Sequence, residues 1–381
     1  MTRALDALER ALEAVRADAR CEVFQRRTRR ISLEIEQGRV RVRHGVEEGT
    51  AVRLHRGDAL RFGAASGLGV EAVREAIALA SSMPATRLAD GEPPWAEGGE
   101  LRDVEDAIEL PTREAMEQWL REAGEARTSL DAAVGVEALG TGDGLRACRV
   151  RGLVWARRHE GTRVRSAVAR RLDRLDPEDW EEPAVVERPG LAAGFSVGVI
   201  ALLPAAAGAL APALVAAVAV GSAVGPGWIC EDHPGESNAP GGGVFDDTGF
   251  PAGRLQLADG HRVLALPRGP GRRRRHSFRE PPTERAANLS FSRSGAWSGS
   301  GLLARAARIH AVGAEWSVVL DAALAQEGHP SSAWRPWLVV GPPEAWVLRC
   351  EAMVRPIRRT PEGVRSGTLV FRGHGLSAVP L

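Results

Sequence analysis

Ile31-Ser32-Leu33-Glu34-Ile35-Glu36-Gln37-Gly38-Arg39-Val40-Arg41-Val42 is the stretch that decides the fold class. Apolar and polar residues alternate on both sides of Gln37-Gly38. A period of two is that of a half-buried strand, and a Gly-containing pair between two such arms reads as a hairpin turn. Towards the N-terminus, residues 4–18 repeat apolar positions at Leu5, Leu8, Leu12 and Val15 with charges between them, one face of an amphipathic helix. Towards the C-terminus, Ala51 to His55 and Leu60 to Ala64 form two more strand-like runs about Gly57-Asp58. Helical periodicity returns over 69–81, with Val70, Val73, Ile77 and Ala80 on one side. The block reads as helix, four strands, helix.

Met83 to Leu110 is rich in Pro, Gly and acid, including Pro93-Pro94 and Gly98-Gly99, and reads as a linker or long loop. Thr112 is placed to cap a helix reaching about Ala126. Strands follow at 132–138, 144–157 and 162–170, the last pair around Glu160-Gly161. A second break falls at Asp173 to Gly190. Pro189 to Cys230 carries no charge apart from Arg188 just before it, but Pro204, Pro212, Gly194, Gly198, Gly208 and Gly221 interrupt it. A membrane span needs roughly 20 continuous apolar residues, so this run reads as a buried strand at Phe195 to Leu203 followed by a buried Ala-rich helix at 204–220. The remainder is strand-rich with long loops. The expected fold class is α+β: an N-terminal helix–sheet–helix domain with middle strands, and a mostly β C-terminal domain around the Ala-rich helix. The expected divisions are 1–82, a linker at 83–111, a middle segment at 112–185 and a C-terminal domain at 186–381.

Composition narrows the chemistry. The chain has 381 residues, with 50 basic and 49 acidic, so no global field recruits nucleic acid or an acidic membrane. All the basic residues are Arg, and the chain contains neither Lys nor Tyr. Lysine nucleophiles, Schiff-base lysines, P-loop lysines and a tyrosine general acid are excluded. Cys21, Cys148, Cys230 and Cys350 are scattered without a CxxC, which is not a disulfide framework in a chain of this length. Met1 to Ala19 is charged and amphipathic rather than a signal segment, and a cytoplasmic location is the expectation.

The local motifs are weak. No two of the nine His residues stand four or five apart, and HExxH and HExxxH are absent, so a helix-borne zinc site has no local support. Cys230-Glu231-Asp232-His233 packs four ligand types together, but adjacent side chains point apart, and the segment reads as a polar loop at a strand end. Asp246-Asp247 could serve acid–base chemistry, yet an Asp pair before a Gly reads first as a turn. Arg272 to Arg275 could meet phosphate or an acidic peptide. Without aromatic interleaving or global basicity it reads as a solvated loop. Trp334, Trp337 and Trp346 read as core and rim residues.

The order of the pieces resembles the TldD/PmbA family, also called TldD/TldE metalloproteases or modulators of DNA gyrase. The N-terminal resemblance runs through Cys21-Glu22-Val23-Phe24, the hairpin at Glu36 to Gly38, Gly49-Thr50-Ala51-Val52-Arg53, Leu60-Arg61-Phe62-Gly63 and the helix at 70–80. Further on, Glu231-Asp232-His233-Pro234 resembles an acidic-His-Pro segment of the TldE-type subunit. Phe245-Asp246-Asp247-Thr248-Gly249-Phe250-Pro251 resembles the family's Asp-rich turn, and Arg285-Ala286-Ala287-Asn288-Leu289 its Asn-Leu step. Coverage is about residues 1–295, and the tail from Gly299 is only loosely similar.

Active members of the family carry HExxxH on a helix after an apolar strand, with two His on zinc and the Glu activating water. The matching window here is Pro212-Ala213-Leu214-Val215-Ala216-Ala217, with Pro212, Ala213 and Ala217 at the ligand, base and ligand positions. None of the three binds metal or moves a proton. The family's C-terminal Cys-Gly ligand motif is absent, since Cys350 stands in Arg349-Cys350-Glu351. The resemblance therefore implies a non-catalytic subunit of a zinc metalloprotease pair that processes small unfolded or leader peptides. No cofactor is expected in this chain, because the zinc belongs to a TldD-like active partner subunit; a self-dimer is the other assembly. Neither nucleic acid nor membrane is an expected partner. Asp246, Asp247, Gly249, Asn288 and Leu289 are the candidate peptide-binding residues. A stand-alone peptide-binding scaffold in peptide natural-product maturation, and a divergent metallopeptidase with ligands relocated to His233, Asp246 and Asp247, are the alternatives.

Overall fold

The computed structural model describes residues 8–13, 20–36, 38–88, 93–103, 108–123, 127–160, 163–175, 198–236, 239, 242–275, 277–295, 297, 300–311, 314–326, 329–360, 365–372 and 376–380. Two compact units emerge. The first is Met1–Pro177 with Gly243–Gly253 and Arg268–Arg285; the second is Glu178–Gly242, Arg254–Pro267 and Ala286–Leu381. The linear division expected from the sequence places 243–253 and 268–285 in the C-terminal domain. In the structure these segments, carrying the Asp pair and the four-arginine run, belong to the first unit.

In the first unit, residues 8–13 are helical (α1). The hairpin follows as β1 (Arg20–Glu36) and β2 (Arg39–Arg56), closed by the Glu36–Arg39 pair with Gly38 at φ 75°. β3 (Ala59–Ser66) pairs with Gly49 to Arg56 of β2. The block thus has three strands rather than four. Gly45 and Gly49 interrupt the alternation of side chains, but β2 continues through both, pairing with Arg30 and Arg26 of β1 without a slip. α2 (Val70–Ser82) buries Ala72, Val73, Ala76 and Ala80. These join Leu8, Leu12, Val23, Val52 and Leu54 in one core. At about 1.5–3 kcal/mol for each large aliphatic side chain buried, this core fixes which face of the sheet the helices cover.

The expected linker is packed structure. It contains β4 (Thr86–Arg87) on β3, and β5 (Glu100–Asp103) parallel to the next hairpin. It also contains Trp95, fully buried, whose indole N–H donates to Asp143 at 3.0 Å. α3 (Arg113–Glu122) begins as its cap predicts, with the Thr112 hydroxyl accepting from the Ala115 N–H at 3.2 Å. β6 (Arg127–Thr141), β7 (Arg146–Glu160) and β8 (Arg163–Ala169) complete an eight-stranded sheet. Gly161, expected in the β7–β8 turn, lies outside the described residues. A short 3-10 turn at Leu172–Arg174 opens the second expected break, whose residues 176–190 are outside the described set.

The second unit is built on an eleven-stranded sheet. Its strands are β9 (Val199–Leu202), β10 (Ile229–Asp232), β11 (Leu255–Asp259), β14 (Leu289–Phe291), β15 (Gly301–Ala311), β16 (Trp316–Gln326), β17 (His329–Pro330), β18 (Arg335–Gly341), β19 (Cys350–Arg359), β20 (Arg365–Arg372) and β21 (Ser377–Pro380). The two remaining strands, β12 (Arg273–Arg274) and β13 (Thr283–Glu284), form a small ladder in the first unit. Two helices, α4 (Pro204–Ala217) and α5 (Pro343–Leu348), pack with the large sheet. Trp228, Trp316, Trp337 and Trp346 lie in the core, while Trp334 sits at its margin under the Arg305 guanidinium, 4.6 Å from the ring centre.

The Ala-rich helix ends at Ala217 and is buried on one face rather than all round. Ala207, Leu210, Ala211, Leu214 and Val215 face the core; Ala205, Ala209, Ala216 and Ala217 are exposed. Pro204 occupies the first turn, where a missing N–H costs nothing. Gly208 lets the helix close on Thr360, whose Oγ1 would lie 2.4 Å from a Cβ there. Among the described residues, no helix is long and apolar enough to cross a membrane.

Candidate functional site

The Asp-rich turn sits on the face of the first sheet opposite the helices. The register explains why charge collects there. On β1, Glu22, Phe24 and Arg26 point to that face. Opposite them stand Arg53 and Ala51 on β2, and Leu139 and Glu137 on β6; Ala147 and Arg149 continue the rows on β7. Glu22 is therefore the direct cross-strand partner of Arg53, and Glu137 stands between Arg26 and Arg149. Opposite charges across a ladder are stabilising.

Segments 243–253 and 268–285 lie on this face. Phe245 and Phe278 join Phe24, Ala51, Leu139, Leu145 and Ala147 in an apolar cluster. Asp247 enters beside Arg149. Its Oδ1 accepts from Arg149 and, at 3.3 Å, from Arg151; its Oδ2 accepts the Arg275 N–H at 2.5 Å. Arg149 also donates Nε to Glu137 at 2.5 Å and Nη1 to the Phe245 carbonyl at 3.2 Å. Arg275 pairs with Glu22, which also accepts from Arg53 Nε at 3.0 Å.

The four-arginine run is not a solvated loop. Arg272, Arg273, Arg274 and Arg275 are all buried, none more than 7% exposed. Besides the carboxylates they bind carbonyls: Arg273 Nη1 donates to Pro93 and Pro94 at 3.0 and 3.2 Å, and Arg272 Nη2 to Gly253 at 2.6 Å. A guanidinium is planar, weakly hydrated and carries five donors, so it tolerates burial where several acceptors converge. His276, beside the run, lies outside the described residues.

Electrostatics follow geometry. Burial alone would raise Asp247, but Arg149, Arg151 and Arg274 outweigh it and hold its carboxyl well below the ordinary range. Glu137 is lowered likewise, burial being overcome by Arg149, Arg151 and Arg26. Arg149 is raised, because Asp247 and Glu137 overcome its burial. Arg151 is pushed down to about 10 by burial and by Arg149. Asp247 and Glu137 are thus fixed anions, unsuited to carrying a proton at neutral pH.

Asp246 is fully buried and organises the turn. Its Oδ1 accepts from the Thr248 N–H and hydroxyl, both at 2.8 Å, and from the Phe250 N–H at 3.1 Å. Its Oδ2 accepts from Gly271 N–H at 2.7 Å and Arg273 N–H at 3.1 Å. Gly249 has φ 85°, the left-handed region, and a Cβ there would lie 2.3 Å from Leu145 Cδ2. The void beside Asp246 and Asp247 is about 10 Å³, the space of about one water.

Of the other sequence candidates, Asn288 and Leu289 lie together in the second unit, both buried. Asp232 Oδ1 accepts the N–H groups of Ala287 and Asn288 at 2.9 and 3.0 Å, and Asn288 Nδ2 donates to the His233 carbonyl at 3.2 Å. Cys230 to Asp232 is a strand rather than a loop, with Cys230 and Asp232 buried and Glu231 turned outward to Arg254 at 2.6 Å. His233 belongs to the second unit, Asp246 and Asp247 to the first. Among the described residues, no cluster of three or more His, Cys, Asp and Glu side chains is arranged to hold a metal. On α4, Pro212 and Ala213 are half-buried and Ala217 is exposed. The side chains at the positions where the family resemblance places zinc ligands and base offer no donor atom, and they do not fit the metal.

Residues 21–83 match the model of PmbA/TldA metallopeptidase domain 1, which spans β1, β2, β3 and α2. The first sheet's opening block is thus similar to the first domain of that family. The chain's fold is that of TldE from Thermococcus kodakarensis, with a TM-score of 0.72 at 14% identity, covering 98% of this chain and 99% of that one. A candidate modulator of a DNA gyrase from Thermotoga maritima has the same fold, with a TM-score of 0.68 at 12% identity, covering 98% and 99%. A third, a candidate modulator of DNA gyrase from Bacteroides thetaiotaomicron, matches with a TM-score of 0.65 at 14% identity, covering 99% and 98%. A search of curated proteins finds no match. The fold shared with these structures therefore extends through the tail after Gly299, where sequence resemblance is loose.

The sequence reading missed Glu22, Arg53, Glu137 and Arg149 as a set. The signal was present: once the hairpins are registered on their turns, opposite charges face each other across the strands in otherwise apolar surroundings.

Proposed function

We propose that this chain is a TldD/PmbA-family protein, the non-catalytic subunit of a zinc metallopeptidase system that processes small unfolded or leader peptides. One observation carries the reading. α4 follows the apolar strand β9, as the resemblance expects of the HExxxH helix, and Pro212, Ala213 and Ala217 stand where the resemblance puts the ligands and base. Hydrolysis needs a metal-bound water and a base, so in this proposal both come from a TldD-like partner. This chain contributes binding surface for an extended peptide, held by main-chain hydrogen bonding.

The test combines metal analysis with reconstitution. After zinc equilibration and desalting, the purified chain is expected to retain far less than about one zinc per molecule, the stoichiometry of a catalytic site. Mixed with a zinc-bearing TldD-type protein, it is expected to co-elute and to increase cleavage of an unfolded peptide. One tightly held zinc per chain, or a chain that neither binds such a partner nor alters its cleavage, would overturn the proposal. Peptide affinity that persists without cleavage beside an active partner would point instead to a stand-alone binding protein.

A further inference from the structure

The charged face of the first sheet continues past the Asp-rich turn. Beyond Arg26, β1 places Thr28, Arg30, Ser32 and Glu34 on it. Pairing sets Arg43, Ser32, Asp131 and Trp155 in one row across β2, β1, β6 and β7, and Arg41, Glu34, Ser129 and Arg157 in the next. A cavity of about 290 Å³ lies over both rows, lined by all their members except Trp155. Its charges are unequally matched. Arg157 Nη2 donates to Asp131 at 3.1 Å, and Arg41 and Glu34, opposed across the strands, already have partners. Arg43, exposed beside Ser32, pairs with no carboxylate among the described residues. Neither does Arg30, one row nearer the turn, which stands opposite Gly45. Two donors are unmatched as well: Arg157 Nε and Trp155 Nε1 are shielded from water without an acceptor. The Arg157 guanidinium lies 4.2 Å from the centre of the Trp155 ring, a stacking that steadies both.

We propose that this cavity binds a small phosphate monoester carrying hydroxyl groups, of the size of a sugar phosphate. The phosphoryl group takes the free guanidinium of Arg43, whose planar fork matches two of its oxygens, and Arg30 beside the cavity adds a second positive charge. The ester's remaining oxygens supply the acceptor that the shielded N–H groups lack, and an unmatched buried donor is costly. Its hydroxyls meet Ser32 and Ser129, which donate or accept, and the remaining lone pairs of Glu34 and Asp131. The same two carboxylates disfavour an acidic peptide by like-charge repulsion. An apolar ligand finds no wall to lie on, since Leu33 alone among the lining residues is apolar. The volume stands near the lower end for small-molecule sites.

The experiment is isothermal titration calorimetry on the full chain, with glucose 6-phosphate as the probe and glucose, inorganic phosphate and tetraglutamate beside it. Glucose 6-phosphate is expected to bind with a Kd below about 1 mM, inorganic phosphate about tenfold more weakly, and glucose not at all at about 10 mM. R43A should weaken glucose 6-phosphate about tenfold, the loss of one charge-assisted contact. Arg43 is exposed and holds no carboxylate, so the variant keeps its fold. R87A, an exposed position on β4, should bind as the wild type does. A second readout follows Trp155: in the wild type, the indole N–H resonance that W155F lacks should shift on titration with glucose 6-phosphate. Absence of binding at about 10 mM, an R43A variant as tight as the wild type, or an unmoved Trp155 resonance would overturn the inference. Equal affinity for inorganic phosphate, or tighter binding of tetraglutamate, would overturn the assignment to a phosphate monoester. Each of these outcomes leaves the proposed function standing.

Discussion

Arg149→Met tests whether the buried ion lattice holds the Asp-rich turn to the sheet. Arg149 is 2% exposed and lies between Glu137 and Asp247. At an effective dielectric of about 20, each close ion pair is worth about 4 kcal/mol. Losing two is offset by several kcal/mol, because the guanidinium no longer needs to be desolvated. The net cost is about 3–5 kcal/mol, the range for breaking a buried pair and leaving its partner charged. With a urea slope of about 2.5 kcal/mol per molar, a loss of about 4 kcal/mol lowers the midpoint by about 1.6 M. The assay is urea titration read by pulsed amide exchange of peptides from residues 127–160.

The pH dependence makes the test sharper. In the wild type Asp247 and Glu137 are held below their ordinary values. A lowered carboxyl contributes stability above the unfolded value of about 4, and that stability is lost as pH falls through the folded value. Without Arg149, burial dominates and both folded values rise. The variant then gains stability as pH falls from 7 towards about 4.5 and the carboxyls take up protons. The difference from wild type should be about 4 kcal/mol at pH 7 and about half that near pH 4.5. A loss below about 1 kcal/mol, or one unchanged across this window, would refute the reasoning.

Two further outcomes are expected. Asp246→Asn should destabilise the first unit by about 2–4 kcal/mol, because an amide nitrogen turned to either side faces N–H donors that the carboxylate now accepts; a shift of the urea midpoint within error would discount the turn's role. The thiols should resist alkylation in the native chain. Burial pushes Cys21 up to about 11 and also raises Cys148, Cys230 and Cys350. At pH 8 the thiolate fraction of Cys21 is then about one in a thousand. Intact-mass analysis after iodoacetamide should show almost no adduct until urea is added, and rapid labelling of the native chain would contradict the burial.

The hairpin and the helix at 70–82 were legible because local periodicity and turn chemistry specify them. The same locality explains what was misread. Arg272 to Arg275 read as solvated because a charge run has no partner within reach along the chain. Its burial depends on carboxylates as remote as Glu22, 253 residues away. Trp95 and the short strands at 86–87 and 100–103 were hidden in a Pro- and Gly-rich stretch, where neither period of two nor 3.6 develops. The discontinuous first unit was illegible for a related reason. Asp247 joins Arg149 across 98 residues, and composition gives no sign that one segment of a C-terminal half returns to an N-terminal sheet.

The two elements the family resemblance singles out stand in opposite relations to the core. On α4, packing is carried mainly by Ala207, Leu210, Ala211, Leu214 and Val215, with Ala213 half-buried against the same core, Pro212 half-buried and Ala217 exposed. The side chains of Pro212, Ala213 and Ala217 carry no polar atom, so no buried hydrogen bond depends on them. Asp246 and Asp247 have no such freedom. Between them they accept hydrogen bonds from Thr248, Phe250, Gly271, Arg273, Arg275, Arg149 and Arg151. Loss of either leaves several donors buried and unmatched, at about 1–3 kcal/mol each. The Asp-rich turn is therefore tied to the stability of the first unit through its buried hydrogen bonds, whereas the side chains at positions 212, 213 and 217 of α4 carry none.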